Sequence, residues 1–179
     1  MLTLKMSSLT NRSLEQELEQ LFREHYQMMY RTAYSLLENQ ADAEDIPQSL
    51  FLRLLRNGIT PDLQRNAAGY LYRAAVNLSL NMIRERRRRA ATEDSDCPEV
   101  PAQESEANTA EETHRRLAEA LAELDPDAAQ MLVLRYFHNC SDAAIAKLLG
   151  TSRGTIAMRL FRSRAHLKKL MRDSLGGKS

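Results

Sequence analysis

Two clusters of basic side chains could bind an anionic partner. Residues 84–89 contain five arginines, and the following block, residues 90–113, has eight Asp or Glu and no Lys or Arg. Arginines at the end of a helix can lie along nucleic-acid phosphates, which supply affinity and register rather than sequence preference. The acids would then begin a segment that stays away from nucleic acid. The alternative interpretation is a merely solvated helix end.

The second basic cluster, residues 153–178, has eight Lys or Arg and one acid, Asp173. It follows a pattern typical of a helix-turn-helix, with Ser141 as a cap, a small Ala146 and Gly150 at the turn. The second helix of such a motif enters the major groove of DNA. We therefore predict DNA contact by Arg153, Thr155, Arg159, Arg162, Arg164 and Lys168. A solvated helix face is the alternative.

Side chains that could catalyse a reaction are not grouped in the sequence. The four histidines lie on separate predicted helices, none has an HExxH-like spacing, and there is no glycine-rich phosphate loop. The two cysteines, Cys97 and Cys140, suggest neither a disulfide framework nor a cysteine zinc site. We expect no catalysis, no cofactor and no bound metal.

Apolar residues recur at helical spacing and predict an all-α protein in two parts. The first part has three predicted helices: one from about residue 13 to 37, one capped by Asp42, and one from about Asn66 to residue 89. Pro47 lies inside the second, where its ring should clash with the carbonyl four residues back. We expect either a later helix start or a bend there.

Residues 90–113 should form a flexible, extended acidic linker, because two prolines, eight acids and no aromatic residue cannot bury enough apolar surface. The last part returns to helices, one opening with Pro126 at a first-turn position and the last two joined at residues 150–152. The N-terminal residues lack the apolar core of a signal peptide, and no later run suits a membrane span. The sequence predicts a cytoplasmic protein with no direct membrane insertion.

Three stretches, in this order and spacing, resemble an extracytoplasmic-function (group 4) sigma factor of bacterial RNA polymerase. They are "ADAEDIPQSLFLRLLR", "GYLYRAAVNLSLNMIRERRRR" and "LAELDPDAAQMLVLRYFHNCSDAAIAKLLGTSRGTIAMRLFRSRAHLKKL". The similarity covers about residues 20–89 and 115–171. This chain departs from the family pattern at Pro47, at Ala144, and at Ala157 and Met158, where the family frequently has Lys and Ser.

The resemblance implies sigma region 2 at residues 13–89, a linker at 90–113 and sigma region 4 at 114–172. Region 2 would bind core RNA polymerase through Asp45, Gln48, Phe51 and Leu52. It would meet the opened minus-ten strand through Tyr70, Arg73, Asn77, Asn81 and Arg84, with the loop at 58–66 holding a flipped base. Region 4 would read the minus-thirty-five duplex through the six residues of the second basic cluster.

The resemblance also implies partners: core RNA polymerase, promoter DNA and an anti-sigma factor anchored in the inner membrane. A free-standing helix-turn-helix regulator is the alternative function. Such a regulator would explain neither "AEDIPQ" nor the basic third helix.

Overall fold

The computed structural model describes residues 2–93 and 106–176, and these residues form eight α-helices and no strand. The helices are α1 (Leu2–Leu37), α2 (Gln40–Asn57), α3 (Pro61–Arg65), α4 (Ala67–Glu93), α5 (Glu106–Glu123), α6 (Pro126–Tyr136), α7 (Asp142–Leu149) and α8 (Arg153–Gly176). The predicted all-α fold class is confirmed. The chain divides inside α4 into two compact units, one ending at Val76 and the other beginning at Asn77.

In the first unit, α1 and α2 pack side by side through side chains such as Met29 on α1 and Leu50 on α2, which are 0% and 2% exposed. Asn39 caps α2, because its Oδ1 accepts a hydrogen bond of 3.1 Å from the Asp42 backbone N–H. The prediction that Asp42 itself caps the helix is therefore wrong. Asp42 lies in the first turn, where a negative charge favours a helix N-terminus.

Pro47 lies within α2, which begins at Gln40 and continues to Asn57. The expected later start of this helix is wrong, because the cap at Asn39 starts it two residues before Asp42. Pro47 is buried and lacks the backbone N–H that would bond to the Ala43 carbonyl. The helix nevertheless runs on through this residue.

A short helix, α3, occupies most of the expected loop at 58–66. Thr60 caps it by accepting a hydrogen bond of 3.3 Å from the Leu63 backbone N–H, and Pro61 takes its first position. Leu63 is 1% exposed, so this turn contributes to the core. Asn66 then caps α4, accepting a hydrogen bond of 2.9 Å from the Gly69 backbone N–H.

The predicted extended linker is wrong at both of its ends. Residues 90–93 continue α4 and residues 106–113 begin α5, while residues 94–105 lie outside the described part of the chain. Glu112 pairs with Arg115 at 2.7 Å and with Arg116 at 2.6 Å, one turn further along α5. Acids near a helix N-terminus that meet arginines one turn later favour a helix over a coil. The domain limits 13–89 and 114–172 remain a prediction.

The second unit contains the predicted helix-turn-helix. Ser141 Oγ accepts a hydrogen bond of 3.2 Å from the Ala144 backbone N–H at the start of α7. Gly150 ends α7 in the left-handed region, with φ 68° and ψ 40°, and its N–H bonds to the Ala146 carbonyl. Because L side chains disfavour this conformation, glycine is the expected residue for the turn into α8. Ile156 of α8 is fully buried beneath this turn.

Candidate nucleic-acid and partner-binding surfaces

One candidate surface lies on α2 in the first unit. Asp45 and Gln48 are exposed one helical turn apart, and Leu52 follows one turn later with 52% of its surface exposed. Phe51 is half-buried beside them, and its ring meets that of Phe22 on α1 edge to face, with the centroids 4.9 Å apart. The four residues predicted to bind polymerase therefore lie together on the side of α2 away from its buried residues.

A groove of about 500 Å³ opens beside this patch, between α1 and α2. Phe22, Arg23 and Tyr26 line it from α1, and Pro47 and Phe51 line it from α2. Pro47, which departs from the family pattern, is therefore part of the groove wall. The residues of α1 that line this groove were not among those predicted from the sequence.

Three tyrosines form a stacked row along α1. The rings of Tyr26 and Tyr30 have centroids 6.3 Å apart, and those of Tyr30 and Tyr34 are 6.0 Å apart. Tyr26 and Tyr34 are 42% and 46% exposed. The spacing of four residues puts them on neighbouring turns of one helix face, and this spacing was the signal in the sequence that could have identified them.

The residues predicted to meet the minus-ten strand form one stripe along α4. Tyr70, Arg73, Asn77, Asn81 and Arg84 follow one another at spacings of three or four residues. Tyr70 and Arg73 belong to the first unit and are half-buried. The other three belong to the second unit.

Those three residues are hydrogen-bonded within the second unit. Asn77 Oδ1 accepts a hydrogen bond of 3.2 Å from Nε2 of Gln130, which is 2% exposed on α6. Arg84 Nε donates to the Ala122 carbonyl of α5 at 2.7 Å, and Arg84 Nη1 donates to Asn81 Oδ1 at 2.6 Å. The C-terminal half of α4 thus carries polar contacts to α5 and α6.

The arginines at residues 84–89 differ in their surroundings. Arg87 pairs with Glu123 of α5, and this hydrogen bond raises the pKa of Arg87 above its usual value. Arg86, Arg88 and Arg89 lie on the exposed part of α4. Arg84 and Arg87 therefore contact α5, whereas Arg86, Arg88 and Arg89 form an exposed, positively charged strip.

The start of α8 is fixed by a local hydrogen-bond network. Ser152 Oγ accepts a hydrogen bond of 3.1 Å from the Thr155 backbone N–H and lies 2.8 Å from Thr155 Oγ1. Arg159 pairs with Asp127 of α6 at 3.3 Å, and the two side chains are 53% and 66% exposed. An ion pair this exposed contributes little stability, so Arg159 can exchange Asp127 for another acceptor. Arg153 is exposed at the first position of the helix.

The other basic residues of α8 that were predicted to contact DNA are also exposed, namely Arg162, Arg164 and Lys168. Ile156 and Leu160, at 0% and 5% exposure, pack the helix against the core. The structure thus leaves the predicted DNA-contacting residues of α8 outside the core. They are spread over a broad surface that an anionic duplex could contact along its length.

Residues 2–93 and 106–176 contain neither a metal-binding cluster nor a membrane-spanning helix. Within that part of the chain, no three His, Cys, Asp or Glu side chains are grouped so as to hold a metal ion. Nor does any helix there combine the length and apolar character needed to cross a bilayer. Cys97 lies outside the described residues, and Cys140 is half-buried with a free thiol.

Two family models match this chain. Residues 21–89 match sigma-70 region 2, and residues 114–167 match sigma-70 region 4. The first match contains the α2 patch and the α4 stripe, and the second contains most of α8.

Curated relatives align with most of the chain. The ECF RNA polymerase sigma factor SigE of Mycolicibacterium smegmatis is 34% identical over 156 residues, which cover 84% of this chain but only 60% of that relative. The ECF RNA polymerase sigma factor SigL of Mycobacterium tuberculosis (strain H37Rv) is 31% identical over 143 residues, covering 78% of this chain and 80% of SigL. The ECF sigma factor SigW of Bacillus subtilis is 28% identical, covering 81% and 83%.

Among solved structures, CnrH in complex with the cytosolic domain of CnrY shares the fold. The TM-score is 0.50 at 22% identity, and the alignment covers 96% of each chain. That likeness concerns the fold alone, whereas the two matched regions and the identity to SigL show the family. The chain belongs to the ECF sigma factors of bacterial RNA polymerase.

Proposed function

We propose that this chain binds core RNA polymerase through α2, meets the opened minus-ten strand through α4 and reads the minus-thirty-five duplex through α8. One observation carries the proposal: the matches to sigma-70 regions 2 and 4 fall, in that order, on the helices that carry these surfaces. A protein with this role acts on chromosomal DNA, so its proposed location is the cytoplasm.

The core-polymerase surface is proposed to be the α2 patch of Asp45, Gln48, Phe51 and Leu52. Exposed polar groups next to a half-exposed aromatic ring and an exposed leucine are typical of a protein interface. The neighbouring groove between α1 and α2 would extend this interface to Tyr26.

The minus-ten surface is proposed to be the α4 stripe. Single-stranded DNA is bound by aromatic stacking, amide hydrogen bonds and basic side chains, and the stripe offers Tyr70, two asparagines and two arginines. The exposed arginines at 86, 88 and 89 would hold the neighbouring phosphates.

The minus-thirty-five surface is proposed to be α8. The N-terminal turns of a recognition helix enter the groove, so Arg153, Thr155 and Arg159 would lie near base edges. Later basic residues flank the backbone, so Arg162, Arg164 and Lys168 would contact phosphates.

An anti-sigma factor is the proposed regulatory partner. The structural relative CnrH was solved in complex with the cytosolic domain of CnrY, which supports a protein partner for this chain as well. Such a partner would cover apolar surface that polymerase otherwise uses, of which the groove beside Phe51 is an example.

The test is transcription by core RNA polymerase on a promoter library, with and without the purified protein, followed by sequencing of the transcripts. We expect initiation at defined sites that depends on the protein. A free-standing regulator cannot direct core enzyme, so transcripts that are unchanged by the protein, together with specific DNA binding by the protein alone, would favour that alternative.

A further inference from the structure

A cleft of about 730 Å³ lies along the C-terminal half of α4. Its lining residues are Asn81, Arg84, Glu85, Arg87, Arg88 and Ala91. The lining thus carries three arginines and a single acid. That acid, Glu85, lies 4.0 Å from Arg89, which balances part of its charge from outside the lining. This arginine cleft is therefore suited to an anionic occupant.

The positive charge of the arginine cleft is only partly balanced within the second unit. Arg84 donates to the Ala122 carbonyl and Arg87 pairs with Glu123, both on α5. Arg88 is exposed and lies four residues after Arg84, a spacing at which like charges destabilise a helix. A carboxylate placed between these two guanidinium groups would remove their repulsion.

The chain itself supplies an acidic segment directly after this helix. Residues 94–105, which lie outside the described part of the chain, contain four Asp or Glu and no Lys or Arg. Glu112 and Glu119 of α5, by contrast, already pair with Arg115 at 2.7 Å and 2.6 Å. The four acids of the segment are therefore the nearest carboxylates along the chain that could bind the arginine cleft. They are Asp94, Asp96, Glu99 and Glu104.

The covalent connection makes even a weak contact effective. Arg88 is six residues before Asp94, which corresponds to about 9 Å along a helix axis. A chain of this segment's length can span up to about 40 Å, so its acids can reach the whole arginine cleft. A short tether gives an effective concentration in the millimolar range. Surface ion pairs that are weak one by one can then be well populated.

We propose that the acidic segment at residues 94–105 binds the arginine cleft of α4 and competes there with nucleic-acid phosphates. The docking follows from charge and from the tether alone. The competition rests on the proposed function, in which arginines of α4 hold promoter phosphates. The free chain would then bind DNA more weakly than its arginine content allows, and it would leave non-specific DNA more readily.

The docking can be tested with a spin label on Cys97, which lies within the segment. The label is attached to the full chain carrying Cys140→Ser, and NMR measures how strongly it attenuates the backbone amide signals of residues 81–88. We expect strong attenuation in about 0.1 M salt and much weaker attenuation in about 1 M salt, because the Debye length falls from about 10 Å to about 3 Å. Replacing the four acids by their amides should abolish the attenuation at both salt concentrations.

The competition can be tested by measuring affinity for a mixed-sequence DNA duplex. The neutralised variant carries Asp94→Asn, Asp96→Asn, Glu99→Gln and Glu104→Gln. In about 0.1 M salt it should bind about tenfold more tightly than wild type, because two or more weak ion pairs no longer have to be broken. The control variant has the same net charge and should gain much less. It replaces four exposed acids of α1 by glutamine, at Glu15, Glu17, Glu19 and Glu24.

The outcomes separate this inference from the proposed function. Amide signals of α4 that the label leaves unattenuated at low salt would overturn the docking, and so would attenuation that survives the loss of the four acids. If the attenuation is as expected but the neutralised variant gains no more affinity than the control, the segment binds α4 without competing with DNA. The proposed phosphate contacts of α4 would then be wrong, whereas the docking would stand.

Discussion

At the scale of single residues, the exposed ion pair between Arg159 and Asp127 shows how one side chain can have two uses. The pair lies on the surface at 3.3 Å and contributes little to stability. Arg159 lies one turn after Thr155 on α8. Because the pair is weak, Arg159 can give up Asp127 for an acceptor on a base at little cost in free energy.

Arg159→Ala should relax the sequence preference of the holoenzyme at one or two minus-thirty-five positions. An arginine that pairs with both guanine acceptors is worth roughly 1–3 kcal/mol of discrimination. Binding to a promoter library at several salt concentrations measures both the preference and the salt slope.

Lys168→Ala is the matched comparison, because Lys168 is exposed further along the same helix. It should weaken binding to all promoter sequences about equally, and it should reduce the slope of log affinity against log salt concentration by about 1. If the two variants gave the same uniform loss with the same slope, the division between base-reading and phosphate-binding residues would be wrong.

At the scale of elements, the helix-turn-helix could be predicted closely from the sequence, whereas helix ends elsewhere could not. Its cap at Ser141 and its turn at Gly150 are local signals, and the structure contains both. The start of α5 within the acidic segment was not predicted, because the composition of this segment favours a coil whereas pairs such as Glu112 with Arg116 favour a helix. The short helix α3 was missed although Thr60 and Pro61 form a typical helix start.

Gly150→Ala should lower the free energy of unfolding by about 1–2 kcal/mol, because Gly150 has φ 68° and an L residue is disfavoured there. No atom lies within 4 Å of where the added Cβ would be, so the cost comes from the backbone alone. Gly154→Ala is the control: it has equal space on α8 without the positive φ, and should raise stability by up to about 1 kcal/mol. Urea denaturation measures the free energy of unfolding of both variants. Equal changes in the two variants would show that the positive φ of Gly150 is not the cause.

A double variant that carries Asp45→Ala and Gln48→Ala should bind core polymerase about tenfold more weakly than wild type, or weaker still. Both side chains are exposed at the centre of the proposed α2 interface, and polar contacts of about 0.7 kcal/mol each give that factor. Asn57→Ala changes an exposed residue at the far end of the same helix, outside the patch, and should bind like wild type. A titration in which all three proteins bind core polymerase equally would remove α2 from the interface.

At the scale of the whole molecule, the near-neutral net charge of +1 conceals two basic parts of the chain on either side of the acidic segment at residues 90–113. The family, the order of its regions and the basic surfaces could be inferred from the sequence, because they depend on motifs and charge along the chain. The contacts of Asn77 with Gln130 and of Arg84 with Ala122 could not, because they join residues 53 and 38 positions apart. No local pattern specifies which polar groups meet over such distances.

Asn77→Ala should reduce open-complex formation about fivefold, the effect of losing one hydrogen bond of about 1 kcal/mol, and leave core binding unchanged. Gln130→Leu is the matched control, because it removes the same hydrogen bond between α4 and α6 without altering α4. It should form open complexes at least as well as wild type. Permanganate footprinting of the melted strand measures the effect, and a loss of core binding by Asn77→Ala would point instead to misfolding.

The hydrogen bonds of Asn77 and Arg84 also imply a thermodynamic coupling. If the melted strand binds the same side-chain atoms, Asn77 Oδ1 and Arg84 Nε must release their partners on α6 and α5 before they can contact DNA. The apparent affinity for the strand is then the intrinsic affinity multiplied by the fraction of molecules in which these contacts are open. By reciprocity, a bound strand must stabilise the open state, and the backbone amides of α5 should exchange with deuterium faster in the open complex than in the free protein.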